Sequence, residues 1–114
     1  MSLRILVVED DAIIGMLIAE MLVAMGHVVC ALETNEAGAV AAAARHRPEL
    51  MIVDRQLREG DGASAVQRIL TQERIPHLFI TGRVTDRSLS GSVVLLKPFR
   101  GSELVDAMNR ALAV

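Results

Sequence analysis

The feature that most constrains the fold of this chain is the run Leu50–Asp54, in which four apolar residues are followed at once by a carboxylate. Two of the four are β-branched, Pro48 precedes the run, and the polar segment 55–62 follows it. A short continuous apolar run of this kind predicts a strand buried on both faces, as in a parallel sheet. Because ligands bind at the carboxyl ends of parallel strands, Asp54 is well placed for chemistry, although an aspartate there can also simply begin a turn.

Length and composition limit the alternatives. A chain of 114 residues predicts one domain, residues 1–114, with an aliphatic core because only 2% of its residues are aromatic. The scarcity of aromatic residues and the formal net charge of −2 argue against nucleic-acid binding. The single cysteine, Cys30, is expected to be a small buried hydrophobe. With no leader or membrane-length apolar run, the sequence predicts a cytoplasmic protein without membrane contact.

Apolar runs alternate with helical patterns along the rest of the chain. The other predicted strands are Leu3–Val8, His27–Ala31, His77–Thr81 and Val93–Leu96. Helices are predicted over Ala12–Met25, from a cap at Thr34 or Asn35 to about Arg45, over Ala63–Thr71, and over Ser102–Ala113. Residues 83–92 are predicted to be a loop with room for one turn.

The helix ends carry their own signals. Asp11 and Ser102 are expected to be N-caps, and Gly26 is expected to follow the end of the first helix. The first helix is predicted to turn an apolar stripe, methionines included, to the core; its residues are Ile13, Ile14, Leu17, Ile18, Met21, Leu22 and Met25.

Five strands alternating with helices predict a parallel sheet with helices on both faces. In such a sheet the carboxyl ends of all strands lie along one edge. Four of the predicted strands end in, or are followed directly by, residues with reactive or charged side chains. These residues are Glu9 and Asp10, Asp54, Thr81, and Lys97. We therefore expect the acids, the hydroxyl and the ammonium group to share one pocket.

Such a pocket suits phosphoryl transfer. Crowded carboxylates repel one another unless a cation compensates, and Mg²⁺ favours a few carboxylate oxygens together with water and phosphate. Lys97 can pair with Asp54 at rest and with phosphate afterwards, and Thr81 can donate its hydroxyl to a phosphoryl oxygen. Asp54 is then the nucleophile that forms an acyl phosphate.

Four segments in this order resemble the receiver domains of two-component response regulators. They are Arg4–Asp11, Leu50–Asp54 with Leu57 and Asp61–Gly62 behind it, Thr81–Gly82, and Leu96–Phe99. The resemblance covers the whole chain and implies a flavodoxin-like, three-layer α/β sandwich with strand order 2-1-3-4-5. It also implies that a sensor histidine kinase or a histidine phosphotransfer protein phosphorylates Asp54, and that an unknown downstream protein receives the signal.

The resemblance further implies roles for individual residues. Mg²⁺ would be held by Asp10, Asp54 and the backbone carbonyl of Gln56, with Glu9 acting through water. Thr81 and Lys97 would be the switch hydroxyl and the phosphate-binding lysine, and the bond before Pro98 would be cis. Such a domain is a signalling unit and not an enzyme, beyond catalysing its own phosphorylation and dephosphorylation.

The sequence departs from the family pattern at several positions. Val94 stands where receivers usually carry an aromatic switch residue, and the short segment 83–92 predicts a shortened or missing fourth helix. That loss affects a surface through which many receivers form a homodimer or bind targets, so the sequence allows a homodimer without requiring one. Arg55 and Arg58 make the rim of the site more basic. The sequence Phe79–Gly82 resembles a Phe-x-Thr-Gly subgroup of alphaproteobacterial type.

Three functions remain at the level of sequence. The first is a phosphorylated signalling relay, and the second is a phosphorylation-independent adaptor that uses a fixed surface of the same fold. The third, an aspartate-nucleophile phosphatase, has little support because Asp10 and Asp11 lack the Asp-x-Asp spacing. Metal binding by histidine is not expected, because His27, His46 and His77 have no ligand spacing.

Overall fold

The protein is described by a computed structural model that covers residues 2–82, 89 and 91–113. Its elements follow one another as β1 (Arg4–Val8), α1 (Ala12–Ala24), β2 (Val28–Glu33), α2 (Glu36–His46), β3 (Leu50–Asp54), α3 (Gly62–Leu70), β4 (His77–Thr81), β5 (Val94–Leu96) and α4 (Gly101–Ala113).

The five strands form one parallel sheet in the order β2-β1-β3-β4-β5. This order and the helices on both faces confirm the predicted flavodoxin-like α/β fold. The predicted loop at 83–92, and with it the shortened fourth helix, falls largely on residues outside the described part of the chain. None of the described helices has both the length and the apolar character needed to cross a membrane.

Alternate residues of the central strands point into two separate cores. Leu50 and Ile52 pack with α1 and α4, whereas Met51 and Val53 pack with α2 and α3. All five residues of β3 are buried. The continuous apolar run therefore does reflect a strand covered on both faces.

Three of the predicted helix ends are confirmed. The Asp11 carboxylate caps α1 by accepting hydrogen bonds from the amides of Ile13 and Ile14, and Gly26 follows the helix end with φ +93°. Asn35, rather than Thr34, caps α2 by accepting a hydrogen bond from the Gly38 amide at 2.7 Å.

The predicted Ser102 cap is wrong. Helix α4 already begins at Gly101, so Ser102 lies inside its first turn. The Arg100 amide is bound instead by the carboxylate of Glu103 at 2.9 Å, which is the acidic half of a capping box.

Strand β2 was predicted too short. Leu32 and Glu33 extend it because they pair with Val7 and Val8 of β1. It is also an edge strand, which explains why Cys30 is half-buried rather than enclosed in the core.

Helix α1 is apolar on its outer face as well as its inner one. Ile13 and Leu17, predicted as part of the core stripe, are 73% and 54% exposed. Ile14, Ile18 and Leu22 form the stripe that faces the sheet, and Ile13 and Leu17 lie on the far side of the helix. Because apolar residues occupy both sides, sequence periodicity alone could not identify which side is buried.

Candidate functional site

The site lies where four strands end along one edge of the sheet. Asp54 is the last residue of β3 and lies opposite Ile80, one residue before Thr81 at the end of β4. Thr81 pairs with Leu96, and its carbonyl accepts a hydrogen bond from the Lys97 amide at 2.9 Å. Parallel pairing thus brings residues distant in sequence to one place, as predicted.

The Lys97 ammonium group bridges two buried carboxylates. Its Nζ atom lies 2.7 Å from Asp54 Oδ2 and 2.7 Å from Glu9 Oε1. The Lys97–Pro98 peptide bond is cis, as the resemblance implied. The remaining carboxylate oxygens also have partners, because the Gln56 amide lies 3.0 Å from Asp54 Oδ1 and the Asp11 amide 3.1 Å from Glu9 Oε2. The pairing of Lys97 with Asp54 expected for the resting site is therefore present.

Burial and neighbouring charges shift the pKa values of Glu9 and Lys97. Desolvation, reinforced by the hydrogen bond with Asp54, raises the pKa of Glu9 to about 7, although Lys97 opposes the shift. Desolvation alone would lower the pKa of Lys97, but hydrogen bonds and charges from Asp54 and Glu9 outweigh it and raise this pKa. Lys97 is therefore fully charged at neutral pH, while Glu9 exchanges its proton near neutrality.

Asp10 lies nearer the surface and has a different cationic neighbour. The Arg58 amide donates to Asp10 Oδ2 at 2.8 Å, and the Arg58 guanidinium lies 3.8 Å from the same oxygen. The sequence indicated only a basic rim here. The contact could have been anticipated from the position of Arg58, four residues after the strand end that faces Asp10.

The acids fit a divalent cation. Glu9, Asp10 and Asp54 each offer one carboxylate oxygen, and these oxygens lie within 4.8 Å of one another. A set of oxygen donors from few carboxylates is the environment that Mg²⁺ prefers. In the described part of the chain this is the one cluster of potential metal ligands, and the histidines do not belong to it.

Helix α3 begins directly against the strand that carries Asp54. A Cβ atom added to Gly62 would lie only 2.0 Å from the Asp54 carbonyl oxygen, so the close approach requires glycine. The Gly62 amide donates to the carbonyl of Arg55 at 3.1 Å. The loop after Asp54 is therefore short and tightly closed.

Comparison with known proteins agrees with this geometry. A family described as "Response regulator receiver domain" matches residues 5–109. The chemotaxis protein CheY of Bacillus subtilis is 34% identical, over 98% of this chain and 99% of its own length. The transcriptional regulatory protein PdtaR of Mycobacterium tuberculosis is 30% identical over 96% of this chain, which spans only 57% of that regulator.

A solved structure extends the agreement to three dimensions. The receiver domain of the response regulator PhyR from Erythrobacter litoralis superposes with a TM-score of 0.87 and 28% identity, covering 98% of this chain and 91% of that domain. Sequence, strand order and strand-end chemistry thus lead to one conclusion: the chain belongs to the response regulator receiver domains of two-component systems.

Proposed function

We propose that this receiver domain accepts a phosphoryl group on Asp54 and relays a signal through the resulting change at Thr81 and Lys97. The observation that carries the proposal is the bridge from Lys97 Nζ to Asp54 and Glu9, at 2.7 Å each. A buried acid paired with a mobile ammonium group, at the edge of a sheet where ligands bind, is suited to exchange that partner for phosphate.

The proposed transfer balances simply. A carboxylate oxygen of Asp54 attacks the phosphorus of a phosphohistidine on a histidine kinase or phosphotransfer protein. The P–N bond breaks, its electron pair stays on the imidazole nitrogen, and that nitrogen binds a proton from solvent. Lys97 then pairs with the new phosphoryl group, and the Thr81 hydroxyl donates to a phosphoryl oxygen.

Bound Mg²⁺ would neutralise the crowded carboxylates and the oxygens of the transferring phosphoryl group. We propose Asp10, Asp54 and the Gln56 carbonyl as its ligands, with Glu9 acting through water. Three carboxylate oxygens within 4.8 Å support this assignment. The Gln56 amide bonds to Asp54, which keeps that residue beside the nucleophile.

The outer face of α1 is the surface we propose for the phosphodonor. It exposes Ile13, Met16, Leu17 and Val23, and it begins just after the acids Asp10 and Asp11. These exposed apolar side chains, with Glu20 exposed among them, favour a protein interface on this side of the helix. We expect Leu17→Glu to block transfer from a phosphotransfer protein that phosphorylates the natural chain, while phosphorylation by a small phosphodonor continues. Val28→Glu, an exposed apolar position at the amino end of β2, is the matched control and should leave both reactions intact.

The central experiment uses the domain with Mg²⁺ and a small phosphodonor such as acetyl phosphate. Intact mass spectrometry should show the addition of one phosphoryl group, and Asp54→Asn should abolish it while the fold is retained. In parallel, beryllofluoride should shift the NMR signals of Thr81, Gly82 and Lys97. Phosphorylation that persists in Asp54→Asn would contradict the assignment of the nucleophile.

The second candidate is a phosphorylation-independent adaptor. Val94 favours it, because this half-buried aliphatic residue pairs with Phe79 at the position where receivers usually carry an aromatic switch. A folded domain that gains no mass and shows no shift with beryllofluoride would support the adaptor. If the domain is phosphorylated and its NMR shifts stay confined to the site, the adaptor is excluded. The domain is then a relay that works without the usual aromatic switch residue.

A further inference from the structure

The carboxylate of Glu36, at the start of α2, forms its hydrogen bonds with residues of α3 and with Asp61 just before that helix. Its Oε1 accepts a hydrogen bond from the Asp61 amide at 2.9 Å. Its Oε2 accepts hydrogen bonds from the Ser64 hydroxyl at 2.8 Å and from Arg68 Nη1 at 3.0 Å. These contacts lower the pKa of Glu36, with the Ser64 hydrogen bond the largest contribution, so the group is ionised at neutral pH.

The same residue is attached to the loop that follows Asp54. The Glu36 amide donates to the Glu59 carbonyl at 3.1 Å, so both its backbone and its side chain bind the segment 59–61. Within the loop, Asp61 pairs with Gln56 through an antiparallel bridge and forms an ion pair with Arg55. Contacts therefore run from Glu36 through Asp61 to Gln56.

At Gln56 this chain of contacts reaches Asp54, the proposed nucleophile. The Gln56 amide donates to Asp54 Oδ1 at 3.0 Å, and Gln56 also carries the carbonyl assigned above to the metal. The position of that carbonyl depends on the loop conformation, since no strand or helix holds residues 55–61. The contacts of Glu36 thus hold residues 59–61, the end of the loop that is farther from Asp54 in sequence.

The closeness of the loop to Glu36 is an independent observation. Gly60 adopts φ +90°, and a Cβ atom there would lie 2.3 Å from the Cβ atom of Glu36. Any other residue would be strained by its backbone and would collide with Glu36. The loop is therefore packed onto this residue and not merely linked to it by long polar contacts.

We propose that Glu36 is a positioning residue for the magnesium site, holding the loop 55–61 so that Gln56 presents its carbonyl beside Asp54. This inference rests on the proposed function, because it assumes that Mg²⁺ binds at Glu9, Asp10 and Asp54. It adds a residue from another helix that touches neither metal nor phosphate. Sequence reasoning missed it because a glutamate after a cap residue is typical of a helix start, whatever it contacts.

The test measures the dissociation constant of Mg²⁺ by isothermal titration calorimetry and the thermal midpoint of each variant without metal. Glu36→Ala should weaken Mg²⁺ binding about tenfold, the scale expected for a residue that orients a metal ligand. Glu36→Gln should stay within about threefold, because its amide oxygen can still accept the Asp61 hydrogen bond. Arg68→Ala removes an outer partner of the same carboxylate and should leave the affinity unchanged within about twofold.

Each outcome has a separate meaning. If Glu36→Ala lowers the thermal midpoint but binds Mg²⁺ like the natural chain, Glu36 is only structural and the inference is wrong. Should Glu36→Ala fail to fold, Gly60→Ala decides, because it displaces the loop while keeping the carboxylate; unchanged affinity there would overturn the inference. If the natural chain itself binds no Mg²⁺, the proposed function fails together with this inference.

Discussion

The two halves of the site contain the same chemistry in opposite surroundings. In the inner half, formed by Glu9, Asp54 and Lys97, both acids are buried and the ammonium group is only 23% exposed. In the outer half, formed by Asp10 and Arg58, the acid is 18% exposed and the guanidinium 82% exposed. Both halves place carboxylate beside cation, but only the charged groups of the inner half are largely shielded from water.

This difference in burial predicts a difference in strength. Water and salt screen the outer pair, whereas the inner charges interact in a medium of lower dielectric and depend on one another for compensation. The inner half therefore fixes the Asp54 carboxylate and sets the protonation of the site. The outer half, with its guanidinium largely exposed, should give up its cation more easily.

The largest expected effect comes from removing the inner cation. Lys97→Met should lower the free energy of unfolding by about 3–5 kcal/mol at pH 8 without metal, because two buried carboxylates lose their partner. Arg58→Met, the outer counterpart, should change it by less than about 1 kcal/mol. Urea unfolding of both variants tests the contrast, and equal losses would show that the two halves do not differ.

The protonation of Glu9 should make stability depend on pH. Its pKa is about 7 in the folded chain and about 4.5 in the unfolded chain, so between these values the folded state binds more protons. The contribution is complete below about pH 4.5 and is lost as the pH rises through 7, amounting to at most about 3–4 kcal/mol.

Glu9→Gln should abolish this dependence, so the variant should gain stability relative to the natural chain between pH 5 and pH 8. Unfolding in the presence of a chelator measures the difference. Glu20→Gln, on the exposed side of α1, should keep the natural pH profile. Parallel profiles for Glu9→Gln and the natural chain would contradict the assignment of this proton.

Metal binding should distinguish two neighbouring aspartates. Asp10→Asn should weaken Mg²⁺ binding about tenfold or more, because it replaces one of the three carboxylates in the cluster. Asp11→Asn removes the same charge but keeps the N-cap, since asparagine caps helices as well as aspartate does. Calorimetric titration should therefore separate the two variants; equal losses would indicate a general charge effect in place of coordination.

The smallest expected effect concerns the outer cation. Arg58→Ala keeps the amide that binds Asp10 but removes the guanidinium, so Mg²⁺ affinity should rise about threefold at low ionic strength. The gain should disappear in about 1 M salt, where the Debye length is about 3 Å. Arg58→Lys retains the positive charge and should show no gain, and a gain that survives high salt would point to a steric cause.

The fold and much of the site could be predicted because they depend on patterns local to each strand. Leu50–Asp54 has the bounds expected from its sequence, and parallel pairing alone brings its end beside those of β1, β4 and β5. The motif at Lys97 identified the partner of Asp54 for the same reason. Each of these predictions required only strand direction and the order of chemical groups along the chain.

The remaining features depend on contacts that local patterns do not encode. Ile13 and Leu17 are exposed although their spacing suits a core, because a helix apolar on every side does not reveal which side meets the sheet. Glu36 and Arg58 bind residues 25 and 48 positions away, respectively, and these contacts follow from how loops pack. Burial, and therefore the raised pKa of Glu9, likewise emerges only once the layers have assembled.

The contact of Gly62 with the Asp54 carbonyl has a mechanical consequence. With no side chain between them, the peptide of Asp54 packs directly against the first turn of α3. If Asp54 is phosphorylated as proposed, we expect any shift of its backbone to be passed directly to α3. Such a movement would connect Asp54 with α3 without an aromatic side chain in β5.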